Sequence, residues 1–463
     1  MVKNPAAGVT PTPTGPVRAP ADDPPQRKVL DAVHDAGQQV RNLRQVLENN
    51  TQRIGCFLGA GCPLGIFDAT GQTSIALIPA VVELTKRVAS GLEEVDRKAA
   101  TEGHPTRFKK DWDSLCVECK PTDNKDATVE DVLTELRTLA NRRGTAEVLG
   151  MTKRSLNELD DQICRQITAQ MRKTLPQYRS SYNRFASWIG GVYRLSPVEI
   201  FTPNYDLLFE QAFEQHQLPH FDGFVGSREP WFDLASIEHD AIPARWTRLW
   251  KLHGSINWEK IEDTGEGVPV TRIIRATREA EPGKVMIYPS HLKYDQSRRM
   301  PYLAMLDRLR GFFRGGSLKK RADADKREDD APRLIVCGYS FLDEHLNEIL
   351  LDGLRGNRNA HCFALMYSNL ADHPKAVEHA VKQGNLTVLA KDGAVIGTRE
   401  GRYRPGSAGG DEHKPWLYEE AVPAIDADKP TGQPLSRLGD FHYFGLFLEQ
   451  LSGMSGHDAQ RVA

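Results

Sequence analysis

Asn204, Asp206 and His253 are the residues of this chain whose types and spacing point most directly to chemistry. The first two stand in Thr202-Pro203-Asn204-Tyr205-Asp206, behind the apolar run Val198–Phe201. His253 stands in Lys251-Leu252-His253-Gly254-Ser255, behind Leu249 and Trp250. An amide, a carboxylate and an imidazole beside an anomeric carbon can stabilise the positive charge that builds on a sugar as its base departs. They can also direct the attacking oxygen. A third piece, Gly59-Ala60-Gly61, closes the apolar run Ile54–Leu58. Two glycines there allow a tight turn and close backbone approach to a phosphate, and a helix N-terminus downstream would add partial positive charge. Together the pieces suggest chemistry on a dinucleotide.

Each piece also has a structural reading. Asn and Asp are favoured helix caps, a His at a strand end is often structural, and a strand-to-helix turn needs small residues in any case. Gly338-Tyr339-Ser340 closes a further apolar run, Leu334–Cys337. It suits a phosphate or a ribose hydroxyl, or else Ser340 caps the following helix. An ordinary nicotinamide dehydrogenase fits poorly. The third glycine of its fingerprint would fall at 64, which is Leu64, and no acid follows on a second strand to hold a ribose.

The elements that must position these residues alternate. Apolar positions at helical spacing predict a helix from Val29 to Asn50, with one gap at Gly37. Thr73-Ser74 can cap the next helix, running through Ile78, Val82 and Leu84 to Ser90. Residues 91–197 read as helical and polar-faced, which is long for a connection within one sheet and so predicts an inserted helical subdomain. Strands are expected at Val198–Thr202, Arg248–Leu252, Val285–Tyr288, Arg333–Cys337, Cys362–Met366 and Leu386–Leu389, with helices at 205–215, 301–314, 341–355 and 372–383. That alternation predicts an α/β fold, a Rossmann-like doubly wound parallel sheet. Residues 1–28 read as a disordered arm, Gly315–Pro332 as a solvated loop, and 401–436 as irregular, before an amphipathic helix at Asp440–Leu451.

Bulk composition narrows the class. With 463 residues, 60 Lys plus Arg and 62 Asp plus Glu, the chain carries no general nucleic-acid or membrane footprint. No apolar run has the ~18 residues needed to span a bilayer, and the N-terminus lacks the apolar stretch of a secretory signal. Cysteines at 56, 62, 116, 119, 164, 337 and 362 are odd in number and scattered. They read as reduced thiols, and the protein as cytoplasmic.

Gly59-Ala60-Gly61, Thr202–Asp206, Lys251–Ser255 and Val336-Cys337-Gly338-Tyr339-Ser340-Phe341-Leu342-Asp343-Glu344-His345-Leu346 occur here in an order that resembles the sirtuin family, in its divergent bacterial antiphage-defence branch. The resemblance implies that residues 29–400 bind NAD as substrate on a Rossmann-like sheet. It makes Asn204 the residue that positions the nicotinamide ribose and water, Asp206 the one that orients nicotinamide and ribose, and His253 the base acting on the ribose hydroxyls. Gly59, Ala60 and Gly61 would form the cofactor turn. Gly338 and Ser340 would hold phosphates and the distal ribose, and Asn369 in Tyr367-Ser368-Asn369 would belong to the adenosine-ribose loop. Asp68 would lie in the covering loop, where Gly65-Ile66-Phe67-Asp68 departs from the family's Gly-Ile-Pro-Asp by coming two residues early and carrying Phe67.

The deacylating relatives' zinc ribbon has no counterpart after Gly254. Cys116-Val117-Glu118-Cys119 is a lone pair far upstream, so neither zinc nor any other metal is expected. The resemblance therefore implies an NAD glycohydrolase that depletes NAD in antiphage defence. The alternatives are a deacylase or ADP-ribosyltransferase, and a non-catalytic NAD or ADP-ribose sensor. It further implies a homo-oligomer, a HerA-type ATPase or Argonaute-like partner, and no direct membrane association. The arm 1–28, the helix 29–50, the insertion and the C-terminal helix are candidate control surfaces.

Overall fold

The structure is a computed structural model and describes residues 32–453 except 68–69, 71–72, 74, 120–125, 142–146, 264–269, 277–284, 288–299, 315–330, 411–412 and 421–431. The expectations for Asp68, Ser74, the arm 1–28 and most of Gly315–Pro332 fall outside the described residues.

The chain opens with strand β1 (Ala32–His34), helix α1 (Ala36–Glu48) and strand β2 (Ile54–Leu58). Five helices follow: α2 (Val81–Thr101), α3 (Phe108–Glu118), α4 (Val129–Asn141), α5 (Lys153–Met171) and α6 (Ser181–Gly191). Then come β3 (Glu199–Thr202), α7 (Leu208–Gln215), β4 (His220–Phe221), β5 (Phe224–Val225), β6 (Trp231–Phe232), α8 (Leu234–Glu238) and β7 (Thr247–Lys251). The strands β8 (Gly254–Asp263), β9 (Val270–Arg275) and β10 (Val285–Ile287) lead to α9 (Tyr302–Arg314). The third part is β11 (Arg333–Cys337), α10 (Glu344–Gly356), β12 (His361–Leu365), α11 (Pro374–Ala380), β13 (Leu386–Leu389), β14 (Gly393–Ile396) and β15 (Arg399–Tyr403). The described chain closes with β16 (Leu417–Glu420), β17 (Gln433–Ser436) and α12 (Phe441–Leu451).

Ten strands form one sheet in the order β1-β15-β14-β13-β12-β11-β2-β3-β7-β4. From β13 to β4 every pairing is parallel. Parallel strands are covered on both faces, so they read as continuous apolar runs. Along β2, Ile54, Cys56 and Leu58 join the core under α1, α7 and α12, while Phe57 joins the opposite core under α9, α10 and α11. Neighbouring strands repeat the alternation, with Ile200 and Leu249 on one side and Phe201 and Trp250 on the other. The doubly wound α/β fold is therefore present, and the helices α2 to α6 are inserted between β2 and β3.

Several boundaries depart from the sequence reading, each for a local reason. The helix expected from Val29 begins only at Ala36, because the Asp35 carboxylate caps it by accepting the Gln38 N–H at 2.8 Å. Ala32–His34 instead pairs with β15 as an edge strand. The break at Gly37 marks a close approach, where a Cβ would meet the Ser407 carbonyl oxygen at 2.9 Å. The helix expected from Thr73 starts at Val81 behind an extended Ala80. Residues 401–436, expected to be irregular, contain the end of β15 and the β16–β17 pair. The missed signal is Gly397-Thr398: both have positive φ (54° and 70°) and join β14 to β15 as a two-residue hairpin turn. Finally, the strand expected at Val285–Tyr288 does not join the main sheet. It pairs with β8 in a second, antiparallel sheet of order β10-β8-β9-β6-β5.

Candidate active site

Because β11, β2, β3 and β7 are adjacent and parallel, their carboxyl ends lie along one edge of the sheet. Gly338, Gly59, Asn204 and His253 follow those four strands at that edge, where open α/β sheets bind ligands. Asn369 follows β12, the next strand outward.

The two glycine turns pack directly on each other. The Gly59 N–H donates to the Cys337 carbonyl at 2.9 Å and the Gly61 N–H to the Gly338 carbonyl at 2.8 Å. A Cβ at Gly59 would fall on the Gly338 carbonyl, and one at Gly61 would meet the Gly338 Cα at 2.8 Å. Gly338 itself has φ +67°, in the left-handed region that favours glycine. The glycines are thus demanded first by contact between two loops. Ala60 and Ser340 are the exposed residues of the two turns. A single 3₁₀ turn, Cys62–Leu64, follows the first turn, and the next helix among the described residues is α2, from Val81. Ser340 caps no helix either, since α10 starts at Glu344 and its cap is Asp343.

Asn204 is buried, and its side chain donates to the Gly59 carbonyl at 3.1 Å. Its own N–H is held by the Thr202 hydroxyl at 3.1 Å, which in turn donates to the Leu58 carbonyl at 2.7 Å. The amide is thereby fixed to the first glycine turn. Asp206 is buried and its Oδ1 accepts the Leu208 N–H at 3.0 Å, closing a turn just before α7. Burial pushes its carboxyl above the ordinary 3.8, with the Lys251 ammonium pulling the other way.

A folded-state pKa above the ordinary value means the ionised Asp206 detracts from stability at neutral pH. That deficit disappears as pH falls below 3.8. Asp206→Asn keeps an oxygen for the Leu208 N–H and removes the buried charge. Thermal melts should show the variant equal to or above the parent at pH 7. The parent should regain the difference on acidification through the carboxylate range, and a variant less stable at pH 7 would contradict this.

Lys251 is buried at the end of β7, with its Nζ 3.0 Å from Glu210 Oε1. The same ammonium donates to the carbonyls of Tyr205 (3.4 Å) and Asp206. The Ile256 N–H adds a bond to the Tyr205 carbonyl at 3.1 Å. These contacts clamp the Asn204–Asp206 turn against the strand that carries His253. The His253 ring lies 6.5 Å from the Tyr205 ring, and its Nε2 is 3.3 Å from Asp343 Oδ2. Asn369 is exposed and opens a 3₁₀ turn, Leu370–Asp372, its N–H donating to Asp372 Oδ2 at 3.2 Å.

The sequence reading did not single out Asp343 or the turn before α12. Phe441, Phe444, Phe447 and Leu448 bury that helix in the core, where it packs on α6. Gly439 lies against the end of β12, where a Cβ would fall on the Met366 carbonyl, and Cys337 Sγ reaches the Gly439 carbonyl at 3.7 Å. Gly65 lies against Phe441 and Asp440, and the rings of Phe67 and His442 are 4.3 Å apart. The Ser181 hydroxyl donates to the Gly65 carbonyl at 2.5 Å, and the Tyr178 hydroxyl to that of Phe67. The segment after the first glycine turn is thus braced by the C-terminal helix. Burial lowers His442 to about 4, so it stays neutral in this contact near pH 7.

Cys116 and Cys119 lie at the end of α3, both with thiols raised by burial. Among the described residues no three His, Cys, Asp or Glu side chains are grouped to hold a metal. No described helix is long and apolar enough to cross a membrane.

The amide, the imidazole and the paired glycine turns thus share one carboxyl edge of the sheet, the edge at which open α/β sheets bind ligands. Residues 198–389 match the family model of the SIR2-like domain. The match includes Asn204, Asp206, His253, Gly338, Ser340 and Asn369, and ends short of the first glycine turn. Similar solved structures include one described for the mechanism and regulation of Sir2 enzymes, at 11% identity over 72% of this chain and 88% of that one, with a TM-score of 0.30. Another is a Sir2 homologue in complex with NAD, at 14% identity over 74% and 88%, with a TM-score of 0.31. Among curated proteins none matches the sequence.

Proposed function

We propose that this protein is an NAD glycohydrolase and that the carboxyl edge of β11, β2, β3 and β7 is its active site. The observation that carries the reading is that Asn204, bonded to Gly59, and His253, just beyond the end of the adjacent strand β7, stand on that one edge. In the reaction the bond between ribose C1′ and the nicotinamide nitrogen breaks, and its electron pair leaves with nicotinamide. Water adds its oxygen to C1′, and its proton passes to His253, giving ADP-ribose. Asn204 would position the ribose and the water, while Asp206, buried behind it, would hold the turn. Ala60 and Ser340 on the glycine turns and Asn369 would face the rest of the dinucleotide.

Water as the acceptor is favoured by the chain between Cys164 and Cys337, which contains no cysteine for a zinc ribbon that would frame a peptide cleft. The biological role we infer is NAD depletion in antiphage defence, in an oligomer held in check by a separate partner protein. The acceptor is tested by incubating the purified chain with NAD in ¹⁸O-water, with and without an acetyl-lysine peptide. Labelled ADP-ribose at an equal rate in both supports hydrolysis. Nicotinamide release that requires the peptide, with O-acyl-ADP-ribose as product, would make it a deacylase.

A further inference from the structure

Resting on the hydrolase reading, we infer that Asp343 is the positioning residue for His253, so that the loop after β11 supplies part of the catalytic centre. The carboxylate is divided between two tasks. Its Oδ1 accepts the Leu346 N–H at 3.3 Å and caps α10, while its Oδ2 lies 3.3 Å from His253 Nε2. Both side chains are largely buried, at 12% and 15% exposure, which limits screening of their interaction by water.

The loop that carries Asp343 is itself fixed. The Tyr339 hydroxyl lies 3.1 Å from the Asp343 carbonyl and 2.8 Å from Asn347 Oδ1. The Asn347 amide donates to the Phe341 carbonyl at 2.8 Å, across a residue held at φ +58°. A backbone in that region persists only where its surroundings over-determine it. The carboxylate is therefore set in place by its helix and by buried polar contacts before any substrate arrives.

A carboxylate on one ring nitrogen of a histidine fixes the tautomer and the ring orientation, and stabilises the imidazolium that forms when the base takes a proton. With Nε2 facing the Asp343 carboxylate, Nδ1 is the nitrogen left to act as the base. No sequence pattern signals this pairing, because residues 253 and 343 are brought together only by the placement of β7 and β11 in one sheet.

The test is a double-mutant cycle on the full chain. Asp343→Asn retains a helix-capping side chain of the same size and removes the charge. It should lower kcat for nicotinamide release by about 100-fold or more, with KM, ADP-ribose affinity and Tm little changed. In a His253→Ala background the same substitution should cost nothing further, because the two act as one unit. Asp343→Glu keeps the charge and should retain more activity than Asp343→Asn, which guards against a folding defect in the first variant.

A residue that only caps α10 would behave differently. Asp343→Asn would be silent, and Asp343→Ala would lower Tm equally in both backgrounds. Full kcat in Asp343→Asn, alongside a dead His253→Ala, would overturn the inference and leave the hydrolase reading standing. If the parent chain releases no nicotinamide, the hydrolase reading falls. The pairing is then decided by the ¹⁵N resonances of the His253 ring: a changed tautomer in Asp343→Asn supports it, and identical resonances overturn it.

Discussion

Replacing His253 with alanine should reduce nicotinamide release by about 10²–10⁴-fold, the range over which a positioned general base acts. The ring sits at the end of β7, with Nε2 on Asp343 and its plane beside Tyr205. Asn204 is a less clean probe. Its amide donates to the Gly59 carbonyl inside the protein, which also accepts the Cys62 N–H, so truncation costs the one lost bond, about 0.5–1.5 kcal/mol. Measured together, His253→Ala should lose rate with little change in melting, whereas Asn204→Ala should lose both. A His253→Ala enzyme within about tenfold of the parent would remove the imidazole from the chemistry.

Replacing Lys251 with methionine should destabilise the fold by about 3–5 kcal/mol, read from urea denaturation. The ammonium is buried against Glu210 and the carbonyls of Tyr205 and Asp206. Removing one partner of a buried ion pair strands the other, and that stranded charge is where most of the cost lies. The double variant Lys251→Met with Glu210→Gln should therefore recover a large part of the loss. Activity of Lys251→Met should also fall well below its melting temperature, because the same ammonium holds the turn that carries Asn204. Unchanged stability would mean that the clamp is dispensable.

The two predictions concern neighbouring residues of one tripeptide, and they separate what the sequence shows from what it conceals. Ile54–Leu58, Arg333–Cys337 and Leu386–Leu389 are short apolar runs closed by turn residues, and each forms the strand expected of it. Strands buried on both faces leave that signature without help from distant residues. The order of the site motifs along the chain is likewise visible, since each sits directly behind its strand.

What stays hidden depends on partners far away in sequence. Nothing near Val285 tells that it pairs with Glu259 in a separate sheet rather than joining the main one. A lysine in an apolar strand gives no sign that Glu210 and two carbonyls wait for it. Gly59 and Gly61 read as a phosphate turn, yet their first requirement is contact with Gly338, far along the chain. The C-terminal helix reads correctly as amphipathic, but its place against Gly65 and Phe67 follows only from packing on α6. This makes it a brace of the site loop. Asp206 shows the limit of residue type most clearly. It was readable as a helix cap or as a site carboxylate, and its Oδ1 accepts the Leu208 N–H.

The most direct test of the central claim is NAD turnover by the purified full chain, alone and with the product of any neighbouring gene. Parent and His253→Ala proteins are compared, and ADP-ribose binding is measured in the same samples. The account predicts equal amounts of nicotinamide and ADP-ribose from the parent without an acylated peptide. It predicts almost none from His253→Ala, which should still bind ADP-ribose. Intact NAD under both conditions, with the parent binding NAD or ADP-ribose tightly, would contradict it and make the sheet edge a sensor rather than a catalyst.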